Sequence, residues 1–228
     1  MKIVDYLLKD GEYYKDVVKK NTIVIHHTAG SHRPDFSIDG WAHDKSKDGG
    51  QLAVATAYVI GGISTTDGSA AYDGAIYRAF DDKYWAHHLG CKTVNNKLLN
   101  EQSVAIEVCN YGPLTKSANG VYLNYVNKPV PESMVAQLDK PFKGFTHYHK
   151  YTDKQILSLH ELIIDISKRH LIDITKGLKP LMPLGAAMFC LNSNALAGSP
   201  GVWTHVNYRE DKQDMWPQPE LIAMLKSL

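Results

Sequence analysis

Short apolar runs alternate along the chain with polar, turn-rich stretches, and most of the runs have the length of strands. In NTIVIHHTAG, residues 21–30, the β-branched Thr22, Ile23, Val24 and Ile25 lead into His26, His27 and a small polar exit. Side chains branched at Cβ crowd a helix and suit a pleated sheet, so 22–27 is predicted as a buried strand. LAVATAYVIGG predicts a second strand over 52–61 and AIYRAF a third over 75–80. SVAIEVCN predicts a fourth over 103–110, with Val104, Ile106 and Val108 on one face and Ala105, Glu107 and Cys109 on the other. GVWTHV, 201–206, is a late short strand.

Helical periodicity appears in fewer places. After the first strand, Ser37 as a cap and Gly49-Gly50 as a stop bracket a short helical stretch. TDKQ is a capping box, with Gln155 three residues after Thr152; Ile156, Leu159, Ile163 and Ile166 follow at helical spacing to near His170. PELIAMLKSL predicts a terminal helix starting just after Pro217 and Pro219. Asp-Gly pairs at 67–68 and 73–74 mark turns. Residues 111–150, rich in Pro, Gly, Asn and Tyr, read as a long excursion, and 175–200 as a loop with a buried portion. With no internal repeat and no linker, 1–228 reads as a single domain carrying an insertion at about 111–150.

Composition narrows the function classes. The 228 residues are 44% hydrophobic and 21% charged, enough for one domain with a real core. A net charge of +1 gives no field for nucleic acid and no acidic excess for disorder. Three scattered cysteines, Cys91, Cys109 and Cys190, argue against a disulfide framework and for a reducing compartment. The start MKIVDYLLKDGEYYKD has the wrong pattern for a signal peptide, and no apolar run is long enough to span a membrane. The expectation is a monomer made in a cytoplasm, with no nucleic-acid partner and no membrane insertion. Eleven histidines, a high count, direct attention to ligand and proton chemistry.

Polar residues at strand ends are how α/β folds build sites, and here His26, His27, Glu107 and His205 fall at or near such ends, with Tyr58 inside an apolar strand. After His205 comes the polar loop VNYREDKQDMWP, with Lys212 and Asp214. Two imidazoles and a carboxylate from separate elements can make three ligands of an open zinc site that leaves a fourth position for water and brings its pKa toward ~7. No local motif such as H-E-x-x-H is present, and the spacing alone does not prove a site.

IVIHHTAG, ATAYVI, AHHLG, SVAIEV and THVNYREDKQD, in this order, resemble the zinc-dependent N-acetylmuramoyl-L-alanine amidases of type 2, which share a fold with phage lysozyme-amidases and peptidoglycan recognition proteins. The landmarks run from about 21 to 217, nearly the whole chain. The resemblance implies an α/β fold with a single mixed β-sheet flanked by helices. It implies Zn2+ as cofactor, with His26, His205 and Asp214 as ligands. It implies peptidoglycan as substrate, cut between the lactyl group of N-acetylmuramic acid and L-alanine. Glu107 matches the family's strand glutamate, Tyr58 its tyrosine on the second strand, Lys212 its lysine two before the last ligand, and His88 the histidine of its W-H-x-G segment. Arg209 and Glu210 stand where Ala-Pro is usual, so Asp211 competes with Asp214, which is favoured by Lys212 and the following MWP.

Each role has a plainer counterpart. His26 and His205 could be buried and bonded to backbone; His27, on the opposite face from His26, reads as support. Asp214 could cap a turn. Glu107 is the proposed general base, against a salt-bridged strand glutamate. Tyr58 and Lys212 are proposed to steady the oxyanion, against a core tyrosine and a solvated lysine. His88 is expected at the substrate. His147 and His149 share a face if extended, but the preferred reading is an aromatic loop leading into the helix at Thr152. The context suggests a phage endolysin acting on the wall after release. A cytoplasmic enzyme recycling wall fragments, a non-catalytic peptidoglycan-binding module of the same fold, and another zinc amide hydrolase are the alternatives.

Overall fold

In the computed structural model, which describes residues 1–228, eleven strands form two sheets. The strands are β1 (Ile3–Asp5), β2 (Thr22–His27), β3 (Tyr58–Ile60), β4 (Ile76–Arg78), β5 (Ser103–Val108), β6 (Pro113–Lys116), β7 (Tyr122–Leu123), β8 (Pro129–Val130), β9 (Val135–Phe142), β10 (Phe145–His149) and β11 (Gly201–Thr204). The larger sheet has the order β1-β4-β3-β5-β2-β11 and is mixed, with β3, β5, β2 and β11 parallel and β4 antiparallel to β3. The helices are α1 (Pro34–His43), α2 (Asn96–Glu101), α3 (Asp153–His170), α4 (Ser193–Leu196) and α5 (Pro219–Ser227).

The β-branched run makes β2 the centre of the design. All its residues are buried, and it is hydrogen-bonded to β5 on one side and β11 on the other. Strands buried on both faces need continuous apolar sequence, which Thr22–Ile25 and Ser103–Ile106 supply. Register then does the positioning. His26 lies beside Glu107, and Ile25 beside both Ile106 and Thr204, so His205 emerges next to His26. Parallel strands deliver these residues to one edge, where α/β sheets place their crevices.

α3 begins at its capping box, with Thr152 accepting from the Gln155 backbone and Gln155 bonding back. Its apolar stripe, Ile156, Leu159, Leu162, Ile163 and Ile166, is buried in the main core. α1 starts at Pro34, three residues before the expected Ser37 cap, because proline suits the first helical turn. The predicted strand over 52–61 is regular only from Tyr58; upstream, Ala53 takes a positive φ of 46° and Ala55 bonds to His87 instead. The 175–200 segment contains 3-10 turns over Lys179–Met188 and α4, and packs against α5.

Beyond the mixed sheet, the 111–150 excursion forms an antiparallel sheet of its own, ordered β8-β7-β6-β10-β9. It carries a separate small cluster of buried apolar residues, Leu114, Tyr122 and Val130, apart from the 42-residue main core. His149 ends β10 and leads into α3; its Nδ1 accepts from the Tyr111 backbone, so it packs here rather than binding metal with His147. No helix is long and apolar enough to cross a membrane.

Candidate active site

His26, His205 and Asp214 converge from β2, the residue after β11 and the loop before α5. His26 Nδ1 is 3.0 Å from His205 Nδ1 and 3.4 Å from Asp214 Oδ2, and His205 Nδ1 is 2.8 Å from Asp214 Oδ2. All three residues are buried. Asp211, the competing ligand, instead pairs with Arg209 at the surface.

The outer nitrogens fix which atoms face inward. The Ser103 hydroxyl donates to the Asn100 carbonyl at 3.1 Å, so Ser103 Oγ accepts from His88 Nε2 at 2.7 Å. That leaves His88 Nδ1 as an acceptor, 3.0 Å from His26 Nε2, which must carry the proton. His205 Nε2 lies 2.9 Å from the Leu89 carbonyl and likewise carries its proton. Both Nδ1 atoms therefore turn lone pairs toward each other and toward a carboxylate. Three acceptors at these distances repel unless a cation sits among them, and a set of two nitrogens and one oxygen suits zinc. Burial and the neighbouring His205 hold the His26 imidazole down to about 4, which favours the neutral, ligating form. Burial alone raises the Asp214 carboxyl, but His205 and His26 bring it well below the usual range, so it is ionised.

Glu107 lies on the same face as its neighbour His26. Its Oε2 is sealed from solvent and has no hydrogen-bond partner. Burial, then the Asp214 charge, push its pKa well above the ordinary carboxylate value, with Lys212 acting against them. An unpaired, poorly solvated carboxyl at an open cleft is a costly arrangement for stability and a suitable one for proton transfer. The cleft holds about 400 Å³ and is bordered by His26, Glu107, His205, Lys212 and Asp214. Tyr111, Pro113 and Tyr125 of the 111–150 segment also border it; none of 175–200 does.

Two sequence expectations need correction. Tyr58 pairs with Ile106, one residue out of phase with Glu107, so its ring points to the other face of the sheet. There its hydroxyl donates to Asp82 at 3.0 Å and accepts from Arg169 at 3.2 Å, remote from the cleft; Thr56, two residues earlier, borders the cleft instead. His88 does border the cleft, but both its ring nitrogens are engaged, so it supports His26 and is not free to hold substrate. His27 bonds to the Tyr151 hydroxyl at 2.7 Å, as expected of a supporting residue. It also abuts Gly112, where a Cβ would come within 2.6 Å of its Nε2. The Ser103–Asn100 end of the His88 chain was not foreseen, since only the fold brings α2 against β5. Replacing His88 with alanine should weaken the binding of any metal at these donors by ~10–100-fold, the usual worth of such an outer partner, as read by chelator competition. Unchanged affinity would remove His88 from that role.

Residues 16–214 match the N-acetylmuramoyl-L-alanine amidase family. The chain belongs to this family. Its members hydrolyse the muramoyl–alanine amide of peptidoglycan, and this chain is such an enzyme. Among solved structures, PlyL is similar with a TM-score of 0.52 at 11% identity, over 99% of this chain and 98% of that one. The amidase LysCS of Clostridium intestinale, described as an endolysin, has a TM-score of 0.47 at 14% identity, over 99% and 93%. The E. coli amidase AmiD, solved with anhydro-N-acetylmuramic acid-L-Ala-D-gamma-Glu-L-Lys, has 0.41 at 20%, over 70% and 48%. No curated protein sequence matches the chain. At 11% identity the likeness to PlyL shows the fold alone, and the residue roles rest on the geometry above.

Proposed function

We propose that this amidase is zinc-dependent, with His26, His205 and Asp214 as the metal ligands, and that it acts as a monomeric endolysin on the wall polymer after release from the cell that makes it. The observation that carries the reading is the convergence of three lone-pair donors beside an unpartnered Glu107 in one open cleft. Zinc, when bound, supplies Lewis acidity toward a carbonyl and toward water.

The chain's own residues do the rest. Glu107 takes a proton from the attacking water and delivers it to the departing L-alanine nitrogen. Its raised pKa suits both halves of that exchange, and any cation at the ligands acts with Lys212 to keep it ionised enough to accept. Lys212, which borders the cleft, would offset the negative charge that grows on the carbonyl oxygen. The Ser103–His88 chain holds the His26 ring in one tautomer throughout. A non-catalytic binding module is disfavoured because all three donors and the base are present.

The test pairs metal content with lysis. About one zinc per chain, with chelator-sensitive loss of peptidoglycan turbidity and release of new L-alanine amino termini, is the expected result. Zinc without lysis but with cleavage of soluble muramoyl peptides would replace the endolysin with a fragment-recycling enzyme. Lysis indifferent to chelation would overturn the zinc assignment.

A further inference from the structure

The loop that carries Lys212 and Asp214 is fixed at both ends and held once in between. At one end the Arg209 amide bonds to the His205 carbonyl at 3.1 Å; at the other, the Val206 amide bonds to the Asp214 carbonyl at 3.0 Å. Two residues beyond Asp214, Trp216 is fully buried, stacks on both Tyr148 and Tyr151, and donates from Nε1 to the His149 carbonyl at 3.1 Å. Residues 210–213 have no such support. Glu210 and Asp211 are exposed, Asp211 pairs with Arg209 inside the loop, and the Lys212 amide reaches the Arg209 carbonyl at a long 3.4 Å. The one hydrogen bond that comes to 210–213 from elsewhere in the chain is donated by the Lys143 ammonium to the Glu210 carbonyl, at 2.7 Å.

Lys143 belongs to the second sheet. With Gly144 it makes the turn between β9 and β10, where Phe142 faces Phe145. Both turn residues have positive φ, 49° and 85°. Glycine meets that demand at no cost, and asparagine or aspartate is the ordinary partner at the first position. Lysine is disfavoured there, so its presence is explained by what its side chain reaches and not by the turn. The base of the turn is firm. Tyr148, buried in the main core, donates its hydroxyl to the Phe142 carbonyl at 2.6 Å. The same ring supports Trp216, so the hairpin and the end of the Asp214 loop share one footing. A donor on a short turn above such a base loses little freedom when it bonds.

We propose that Lys143 is a positioning residue for amide hydrolysis: by pinning the Glu210 carbonyl it holds Lys212, two residues on, at the border of the cleft. This rests on the reading of Lys212 as the group that offsets charge on the carbonyl oxygen. The 111–150 segment then contributes to turnover as well as to the shape of the cleft. The mixed sheet delivers His26 and Glu107, and the second sheet steadies Lys212 from outside. The bond is charge-assisted, and small displacements of a charge-stabilising group are costly in rate.

The test is a cycle of variants in the zinc-loaded enzyme. Values of kcat and KM are measured on a soluble muramoyl-L-alanine peptide, and amide hydrogen exchange is followed on the same samples. Lys143→Met keeps the length of the side chain and removes its donor. It should speed exchange at 210–213, leave β2 protected, and lower kcat by roughly three- to tenfold with little change in KM. Lys143→Arg, which keeps a charged donor, should recover most of the loss. Lys212→Met should cost more, and adding Lys143→Met to it should cost nothing further, because the anchor acts only through Lys212. A merely structural role would slow both backgrounds alike. Losses that multiply in the double variant, or full turnover in Lys143→Met, overturn the proposal. Unchanged exchange at 210–213 overturns it whatever the activity. Full turnover in Lys212→Met sinks the reading of Lys212, and the proposal with it, without Lys143 being touched.

Discussion

Replacing His26 with alanine should abolish zinc retention and amide hydrolysis together. Three donors hold the proposed metal, and removing one leaves His205 paired with Asp214 at 2.8 Å, an arrangement satisfied by a proton instead. The same change ends the His88–Ser103 chain at a cavity, so nothing compensates. The measurement is zinc content after dialysis, with the release of L-alanine amino termini from peptidoglycan on the same sample. Full zinc retention in the variant would show that the ligand set is wrong, whatever happens to activity.

The second large effect separates chemistry from metal binding. Glu107→Gln keeps the size of the side chain and removes its basicity, so zinc should remain and turnover should fall by ~10²–10⁴-fold, the usual contribution of a positioned base. Stability should not suffer, because Glu107 Oε2 has no partner to lose and the buried charge is gone. Tyr58→Phe is the control: its hydroxyl bonds Asp82 and Arg169 on the far face, so turnover should stay near wild type. If Glu107→Gln is active and Tyr58→Phe is not, the two assignments exchange places.

What the sequence made legible is what local physics determines. The β-branched run gave β2 within its true limits, Thr22–His27, and the capping box gave the start of α3. The amidase family and the α/β fold were readable because strand-end residues recur in order. Tyr58 was misplaced because β3 is only three residues long and follows irregular chain, so its alternation cannot be phased against β5 without the register. The His88 role was hidden because its partners, His26 and Ser103, are 62 and 15 residues away, and no spacing announces a chain of hydrogen bonds. The second sheet escaped notice because β7 and β8 have two residues each and Pro129, Pro131 and Pro141 interrupt the pattern. Such pairs exist only through their neighbours, and sequence periodicity needs longer runs.

That second sheet has a consequence for how the protein opens. Leu114, Tyr122 and Val130 form a buried cluster of their own, while β2, which carries His26, and β11, which precedes His205, are rooted in the 42-residue core. Free energy of local opening follows buried apolar contact, so β7 and β8, tied to the small cluster, should open more readily than β10, whose Tyr148 belongs to the main core. Amide hydrogens of β7 and β8 should exchange through a shallow opening that leaves β2 and β5 protected. In that partly open state the proposed metal ligands are intact and the Tyr125 border of the cleft is gone: an enzyme that keeps its chemistry and loses its grip on the substrate.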